Sequence, residues 1–172
     1  MKFFSGFCLR NESALFDEIL EPWRENRYTV AGFSKGAIEA VEYALLSNSR
    51  IDRVLLLSPA WFVDKTESYK MKQLETYRKN PAAYRRAFFK NALFPSKVDV
   101  EPYMVEDDVW VLRKLLFYRW PEEILRRLHD RGIVLETYLG AKDRIVEANK
   151  AHEFFRRFGE SWLFKEWGHF LR

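Results

Sequence analysis

The pentapeptide Gly32-Phe33-Ser34-Lys35-Gly36 has the pattern G-x-S-x-G and lies between two segments of different periodicity. Tyr28-Thr29-Val30-Ala31 before it is typical of a buried strand, and a helical pattern begins at Ala37. A strand that turns sharply into a helix at such a sequence exposes the serine hydroxyl beside a base. Larger side chains than glycine would collide in so tight a turn. The pattern therefore predicts Ser34 as a nucleophile and favours this interpretation over an ordinary glycine turn.

An acid and a histidine follow Ser34 in the order Ser, Asp/Glu, His that this motif requires. Asp143 lies in the loop after the predicted strand 133–139, and His169 comes directly after the predicted strand 161–166. The carboxyl ends of parallel strands share one edge of a sheet, where side chains from different loops converge. The sequence thus predicts a catalytic triad of Ser34, Asp143 and His169.

Each partner of Ser34 also has a simpler interpretation. Aspartate is common in solvated turns, and a C-terminal histidine is often a surface residue. The order of the three residues and their placement at strand ends favour the triad. The other two histidines fit less well, because His129 lies at a predicted helix end, where the dipole favours a cation, and His152 lies within a helical run.

The rest of the chain alternates between strand and helix patterns, with one interruption. Predicted strands cover 1–8, 28–31, 51–58, 133–139 and 161–166, and predicted helices cover 12–25, a run from 37 onward and 147–158. Between about residues 60 and 127, helical stretches are separated by prolines, and no segment clearly continues the sheet. We therefore predict an α/β core of residues 1–59 and 128–172 with a helical insertion at 60–127.

Three segments resemble the motifs of the α/β-hydrolase superfamily: residues 32–36, Gly140-Ala141-Lys142-Asp143-Arg144-Ile145-Val146 and Gly168-His169. The resemblance implies a reduced α/β-hydrolase fold, in which a mostly parallel sheet carries an inserted helical lid over its catalytic edge. It also implies a serine hydrolase that requires neither a metal nor an organic cofactor.

The same resemblance implies an oxyanion hole made of two backbone amides. The first is the amide of Lys35, directly after the nucleophile. The second is the amide of Phe7, in the segment Ser5-Gly6-Phe7, where the family usually has His-Gly-aromatic. Because both donors are backbone groups, the replacement of histidine by Ser5 leaves the oxyanion hole in place.

The inserted segment carries concentrated positive charge. Between Lys65 and Lys97 there are nine basic and two acidic residues, a net charge of +7, whereas the whole chain carries +4. Such a surface, interleaved with aromatic residues, attracts an acidic macromolecule by long-range steering, although a solvated helix face is the simpler interpretation. The predicted partner-binding residues are Lys70, Lys72, Arg78, Lys79, Arg85, Arg86 and Lys90.

An esterase triad beneath a basic helical lid resembles the BioV-type pimeloyl-acyl carrier protein methyl ester esterases of biotin synthesis. That resemblance implies hydrolysis of the methyl ester on a pimeloyl chain carried by acyl carrier protein, an acidic and transient partner. Two alternatives stay open: a carboxylesterase or thioesterase for small esters or acyl thioesters, and a hydrolase-like binding protein without activity. Nucleic acid is not expected as a partner, because no motif for binding it is visible.

Length and composition limit the class of protein. A chain of 172 residues that is 48% apolar is expected to form one globular domain, which we predict to be a monomer. The single cysteine, Cys8, excludes an internal disulfide, fits a reducing compartment and is interpreted as a buried core residue. No apolar run reaches the roughly 18 residues that span a bilayer. The stretch from Met1 to Leu9 resembles a signal peptide only faintly, so we expect a cytoplasmic protein that does not bind membranes.

Overall fold

Five parallel strands form one sheet in the computed structural model, which describes residues 1–172. The strands are β1 (Lys2–Phe4), β2 (Thr29–Phe33), β3 (Arg53–Leu57), β4 (Val134–Gly140) and β5 (Glu160–Phe164). Their order in the sheet is the same as their order in the sequence. Because all five run in one direction, their carboxyl ends lie at one edge, which confirms the predicted α/β architecture.

Helices fill the connections between the strands. The α-helices are α1 (Asp17–Leu20), α2 (Lys35–Leu46), α3 (Glu67–Lys79), α4 (Pro81–Ala92), α5 (Val109–Phe117), α6 (Glu122–Asp130) and α7 (Ala148–Phe155), and 3₁₀ helices cover Glu12–Phe16, Glu21–Trp23 and Glu101–Tyr103. The helix predicted over 12–25 is thus a succession of 3₁₀ and α turns. Pro22 lacks the N–H that a continuous α-helix would need there. No helix combines the length and hydropathy needed to cross a bilayer.

The middle of the sheet is buried by the helices that pack on it. Helix α2 packs against β1, β2 and β3, and α7 packs against β4 and β5. Residues Val54 to Leu57 of the central strand are completely buried. Burial on both faces explains their uninterrupted apolar sequence.

The regular secondary structure between β3 and β4 consists of helices alone. Thr66, Asn80 and Asp108 each accept a hydrogen bond from a first-turn N–H and so begin α3, α4 and α5. Helix α3 packs against α4 and α5, whereas α6 packs against α2 and β4. Helix α6 therefore belongs to the layer that covers the sheet, although the predicted insertion includes most of it. The division of the chain at 59/60 and 127/128 stays a prediction.

Two glycines allow α2 to approach the strands closely. A Cβ atom on Gly36 would lie 2.0 Å from the carbonyl oxygen of Phe4, at the end of β1. A Cβ atom on Gly32 would lie 2.1 Å from the carbonyl oxygen of Gly36. At both positions an added Cβ atom would overlap backbone atoms, so only glycine fits.

Two glutamate side chains are buried within the fold. Glu136 on β4 pairs with Arg53 on the neighbouring strand. Glu12 is completely buried, and its Oε1 accepts a hydrogen bond of 2.6 Å from the Gly6 N–H while its Oε2 has no partner. Burial raises the pKa of Glu12 above its ordinary value, because removal from water disfavours the charged form. The ionised side chain of Glu12 therefore opposes folding.

The substitution Gly36→Ala is expected to destabilise the fold by about 3 kcal/mol or more, because the methyl group overlaps backbone that cannot move without separating α2 from β1. Gly132→Ala is the control: a Cβ atom there meets nothing within 4 Å, although φ is +70°. Only the left-handed backbone penalty of about 1–2 kcal/mol is expected for it. Urea unfolding followed by circular dichroism measures both, and equal losses would contradict the role of close approach.

The substitution Glu12→Gln is expected to stabilise the protein at neutral pH, by an amount that depends on pH. Because folding raises the pKa of Glu12, its contribution to stability is fully present only below the unfolded-state value of about 4.3 and is lost as pH rises through the folded-state value. Glutamine does not titrate. The difference in unfolding free energy between variant and wild type should therefore grow as pH rises from the unfolded-state value through the folded-state value. A wild type that gains on the variant as pH rises would contradict this.

Candidate active site

Ser34 lies at the turn between β2 and α2. Its backbone has φ 51° and ψ −109°, a conformation that residues other than glycine rarely adopt. The turn is held by hydrogen bonds from the Ser34 N–H to the Leu57 carbonyl (2.8 Å) and from the Ala60 N–H to the Ser34 carbonyl (3.1 Å). This strained strand-to-helix turn has the form of a nucleophile elbow.

The imidazole of His169 joins Ser34 to Asp143. Its Nε2 lies 3.1 Å from Ser34 Oγ, and its Nδ1 lies 2.6 Å from Asp143 Oδ2. Ser34 is 4% exposed and His169 is 1% exposed. The structure thus brings together the three residues predicted from the sequence, each from a loop after a different parallel strand. With the proton on Nδ1, Nε2 is free to accept the serine proton.

Backbone amides hold the carboxylate of Asp143 in place. Its Oδ1 accepts hydrogen bonds from the N–H groups of Ile145 (2.6 Å) and Val146 (3.1 Å), which leaves Oδ2 for His169. Hydrogen bonds to a charged acceptor are short and strong, so they restrict rotation of this side chain. Glu147, the nearest alternative acid in sequence, instead pairs with Lys65 at 3.3 Å.

Aromatic rings surround the imidazole. The rings of Phe33 and His169 have centroids 5.1 Å apart, and Phe170 packs on Phe33 at 5.0 Å. The other histidines lie elsewhere: His129 has an 82% exposed side chain, and His152 Nδ1 lies 2.9 Å from Ser161 Oγ. Only His169 contacts the serine at the elbow.

The two predicted oxyanion amides both lie next to the elbow. Lys35 is the first residue of α2, so its N–H has no carbonyl partner within the helix. Phe7 lies in the loop after β1, and β1 ends beside β2, with Phe4 opposite Gly32. The Phe7 N–H makes no hydrogen bond within the chain. Both amides are available as donors, and their role as an oxyanion hole stays a prediction.

Two carboxylates beside this loop were missed by the sequence analysis. Glu12 binds the Gly6 N–H, and Asp107 Oδ2 accepts a hydrogen bond of 2.8 Å from the Cys8 N–H. Glu12 lies at the start of the predicted helix over 12–25, and Asp107 lies in a polar stretch of the predicted insertion. No sequence signal distinguishes them from surface residues, because their contacts depend on how the loop folds.

Cys8 is completely buried, in agreement with its interpretation as a core residue. Burial raises the pKa of its thiol to about 11, so the thiol stays protonated at neutral pH and is not a nucleophile. No group of three or more His, Cys, Asp or Glu side chains is placed to hold a metal ion.

Five of the seven predicted partner-binding residues are exposed on α3 and α4, and we call these five the basic face: Lys72, Arg78, Lys79, Arg86 and Lys90. Lys70 is only 8% exposed, and its Nζ lies 5.3 Å from the ring centre of Phe117 on α5. Burial lowers the pKa of this ammonium group. The prediction that Lys70 belongs to an exposed surface is therefore wrong. Arg85 is half-buried and pairs with Glu106 at 2.7 Å.

A cavity of about 430 Å³ lies between α3, α4, α5 and the loop after β4. Its apolar lining includes Phe62, Phe88, Leu115 and Ile145, and its charged lining consists of Lys72, Lys79 and Arg144. No carboxylate lines it. Ser34 does not line the cavity, which reaches the triad loop through the two residues that follow Asp143. An apolar chain attached to an anionic group matches this combination of surfaces.

No protein-family model matches the chain, and no curated protein matches its sequence. Solved structures do match its fold. An esterase from Exiguobacterium antarcticum has a TM-score of 0.64 at 17% identity, over 90% of this chain and 64% of the esterase. A lipase-esterase related protein from Clostridium acetobutylicum has a TM-score of 0.67 at 13% identity, over 98% and 86% of the two chains. BioG from Haemophilus influenzae has a TM-score of 0.57 at 12% identity, over 98% and 87%.

These similarities establish the architecture of the chain. The chain spans 64% of the length of the Exiguobacterium esterase, so it corresponds to part of that enzyme. Identities between 12% and 17% show a common fold and leave activity to be argued from the site. Together with the five-stranded parallel sheet, they show that the chain has a reduced α/β-hydrolase fold.

Proposed function

We propose that the protein is a serine carboxylesterase that hydrolyses the methyl ester of a pimeloyl group carried by acyl carrier protein, a step of biotin synthesis. The observation that carries the esterase assignment is the hydrogen-bonded series from Ser34 Oγ through His169 to Asp143. Such a series activates a serine hydroxyl, which is otherwise a weak nucleophile. The resemblance to BioV-type esterases and the basic face support the finer assignment.

The acylation step follows from the positions of the three side chains. Ser34 Oγ attacks the ester carbonyl carbon while His169 Nε2 takes the hydroxyl proton. The carbonyl oxygen becomes negatively charged in the tetrahedral intermediate, and the amides of Lys35 and Phe7 donate hydrogen bonds to it. His169 then returns the proton to the methoxy oxygen, so that methanol leaves and an acyl-serine remains.

Deacylation uses the same groups, with water as the nucleophile and Ser34 Oγ as the leaving group. A water molecule gives its proton to His169 Nε2 and attacks the acyl-serine carbonyl. Collapse of the second tetrahedral intermediate returns the proton to Ser34 Oγ and releases the carboxylic acid. Asp143 stays ionised throughout and stabilises the imidazolium.

Access to Ser34 depends on the inserted helices. Because Ser34 is only 4% exposed, an ester has to displace neighbouring side chains to reach it. The adjacent cavity offers an apolar surface for an acyl chain, with cations on its lining. Movement of the inserted helices would join the cavity to the nucleophile, as lids do in other hydrolases.

The basic face supports an acidic protein partner. Its five cations lie on two consecutive helices, whose only acidic residues are Glu67 and Glu75 in α3. Exposed charges of one sign raise the rate of encounter with a partner of opposite charge. A small-ester esterase or thioesterase would use the same triad without this face, and an inactive binding protein would not need the activated serine.

Substitution of the triad tests the esterase assignment. Ser34→Ala and His169→Ala should each lower kcat on a methyl ester by about 10⁶-fold, and Asp143→Asn by about 10⁴-fold. Glu147→Gln is the matched control and should keep wild-type activity, because Glu147 contacts Lys65 and not His169. Circular dichroism confirms folding, and fluorophosphonate labelling reports the reactivity of Ser34. Absence of both labelling and turnover in the wild type would favour the binding protein.

Charge reversal on the basic face tests the carrier-protein assignment. Arg86→Glu with Lys90→Glu should lower kcat/KM on carrier-bound pimeloyl methyl ester by about 10-fold or more, because steering of the acidic carrier is lost. Arg86 and Lys90 do not line the cavity, so kcat/KM on a free methyl ester should not change. Added salt should lower the wild-type rate on the carrier-bound ester in the same way.

The control for charge reversal is the double variant Arg127→Glu with Arg156→Glu. It makes the same change in net charge at exposed positions in α6 and after α7. It should leave both substrates unaffected. Equal losses on carrier-bound and free esters in the basic-face variant would overturn the carrier-protein assignment and leave the generic esterase.

A further inference from the structure

Three consecutive amides in the loop after β1 have different partners. The Gly6 N–H donates to Glu12 Oε1 at 2.6 Å, and the Cys8 N–H donates to Asp107 Oδ2 at 2.8 Å. The Phe7 N–H between them makes no hydrogen bond within the chain. Carboxylates thus bind the amides of Gly6 and Cys8, and the Phe7 amide between them has no partner.

Glu12 holds its side of the loop from inside the protein. It begins the 3₁₀ helix Glu12–Phe16 and is completely buried. The preceding residue, Asn11, donates its N–H to Ser5 Oγ at 3.1 Å, so the loop is closed on itself directly before Glu12. The position of Gly6 is therefore fixed by a side chain that is enclosed by the protein and cannot move into solvent.

Asp107 holds the other side from the inserted segment. Its backbone carbonyl accepts a hydrogen bond from the Tyr77 hydroxyl on α3, and its side chain lies 3.9 Å from the ammonium group of Lys35. The Val105 N–H also donates to the Cys8 carbonyl at 3.0 Å. Asp107 thus contacts Cys8, which directly follows Phe7, and the side chain of Lys35, whose backbone amide is the other predicted oxyanion donor.

We propose that Glu12 and Asp107 are positioning residues that fix the loop so that the Phe7 N–H points to the oxyanion. This role rests on the proposed serine hydrolase function. An oxyanion hole stabilises the transition state only if its donors are already oriented before charge develops. Carboxylates are suited to the task because a hydrogen bond to a charged acceptor is stronger than one to a neutral acceptor.

The burial of Glu12 argues against a purely structural role. A buried carboxylate with one unpaired oxygen opposes folding, and an amide side chain would make the same contact with Gly6 without that charge. The charge of Asp107 is partly offset by the nearby ammonium group of Lys35. Enzymes commonly keep groups at a catalytic site that lower the stability of the fold but are needed for activity.

The test compares variants that remove each hydrogen-bond acceptor with variants that keep it. Glu12→Leu and Asp107→Ala remove the acceptors, whereas Glu12→Gln and Asp107→Asn keep a carbonyl oxygen in place. The full chain is assayed with p-nitrophenyl acetate for kcat and KM, and with a trifluoromethyl ketone, whose serine adduct carries an oxyanion, for the inhibition constant. Leu128→Ala in the buried face of α6 is the control for lost stability without a change in the loop.

Loss of an acceptor should lower kcat by about 10- to 100-fold, less than the roughly 10²–10³-fold cost of deleting an oxyanion donor. KM should change by less than about 3-fold, because the contact is made in the transition state. The inhibition constant for the ketone should rise by the same factor as kcat falls. The Gln and Asn variants should have a kcat between those of the wild type and of the acceptor-deleted variants, because their carbonyl oxygen keeps the hydrogen bond but is a weaker, neutral acceptor. Leu128→Ala should keep the wild-type kcat below its melting temperature.

Two results would overturn the proposal: a rise in KM at unchanged kcat in the acceptor-deleted variants, or amide variants that lose as much kcat as Leu and Ala do. If Glu12→Leu does not fold, Asp107→Ala decides, because the side chain of Asp107 is 18% exposed and its removal leaves no sealed cavity. A wild type that neither hydrolyses esters nor reacts with a fluorophosphonate would instead refute the serine hydrolase assignment, and this role with it.

Discussion

The close contact between the start of α2 and the end of β1 is the constraint on which the site depends. Gly36 brings the helix against the Phe4 carbonyl, where any side chain would overlap backbone. This contact places the loop after β1, which carries the Phe7 amide, beside the first turn of α2, which carries the Lys35 amide. The backbone strain at Ser34 is tolerated because the strands and helix around it are fixed by such contacts.

The inserted helices and the sheet together build the site. The cavity beside the triad is lined by α3, α4 and α5 on one side and by the residues after Asp143 on the other. The ring of Phe7 packs against Tyr77 and Phe88, and the Cys8 amide is bound by Asp107. The predicted insertion is thus joined to the loop that carries a predicted oxyanion amide, so a change in its packing reaches that loop.

Local pattern was sufficient for the strands and for the triad residues. The five predicted strands are present within four residues of their predicted bounds, because their apolar runs and the turn-forming residues at their ends are local signals. The meeting of Ser34, Asp143 and His169 was predicted from their order and strand-end placement, since parallel strands bring their carboxyl ends together whatever the intervening sequence. Their catalytic role stays a prediction. The 3₁₀ turns over 12–23 were not predicted, because apolar spacing alone does not distinguish them from an α-helix.

The sequence by itself determined the α/β-hydrolase type of fold and which three residues meet at its edge. Only the tertiary structure decided which charged residues face water. Lys70 has the same local pattern as Lys72, yet it is buried beside Phe117 while Lys72 is exposed. Glu12 and Asp107 have the sequence surroundings of surface residues, yet both bind amides of one loop. Burial and long-range hydrogen bonds depend on the packing of distant segments, and no local pattern encodes that packing.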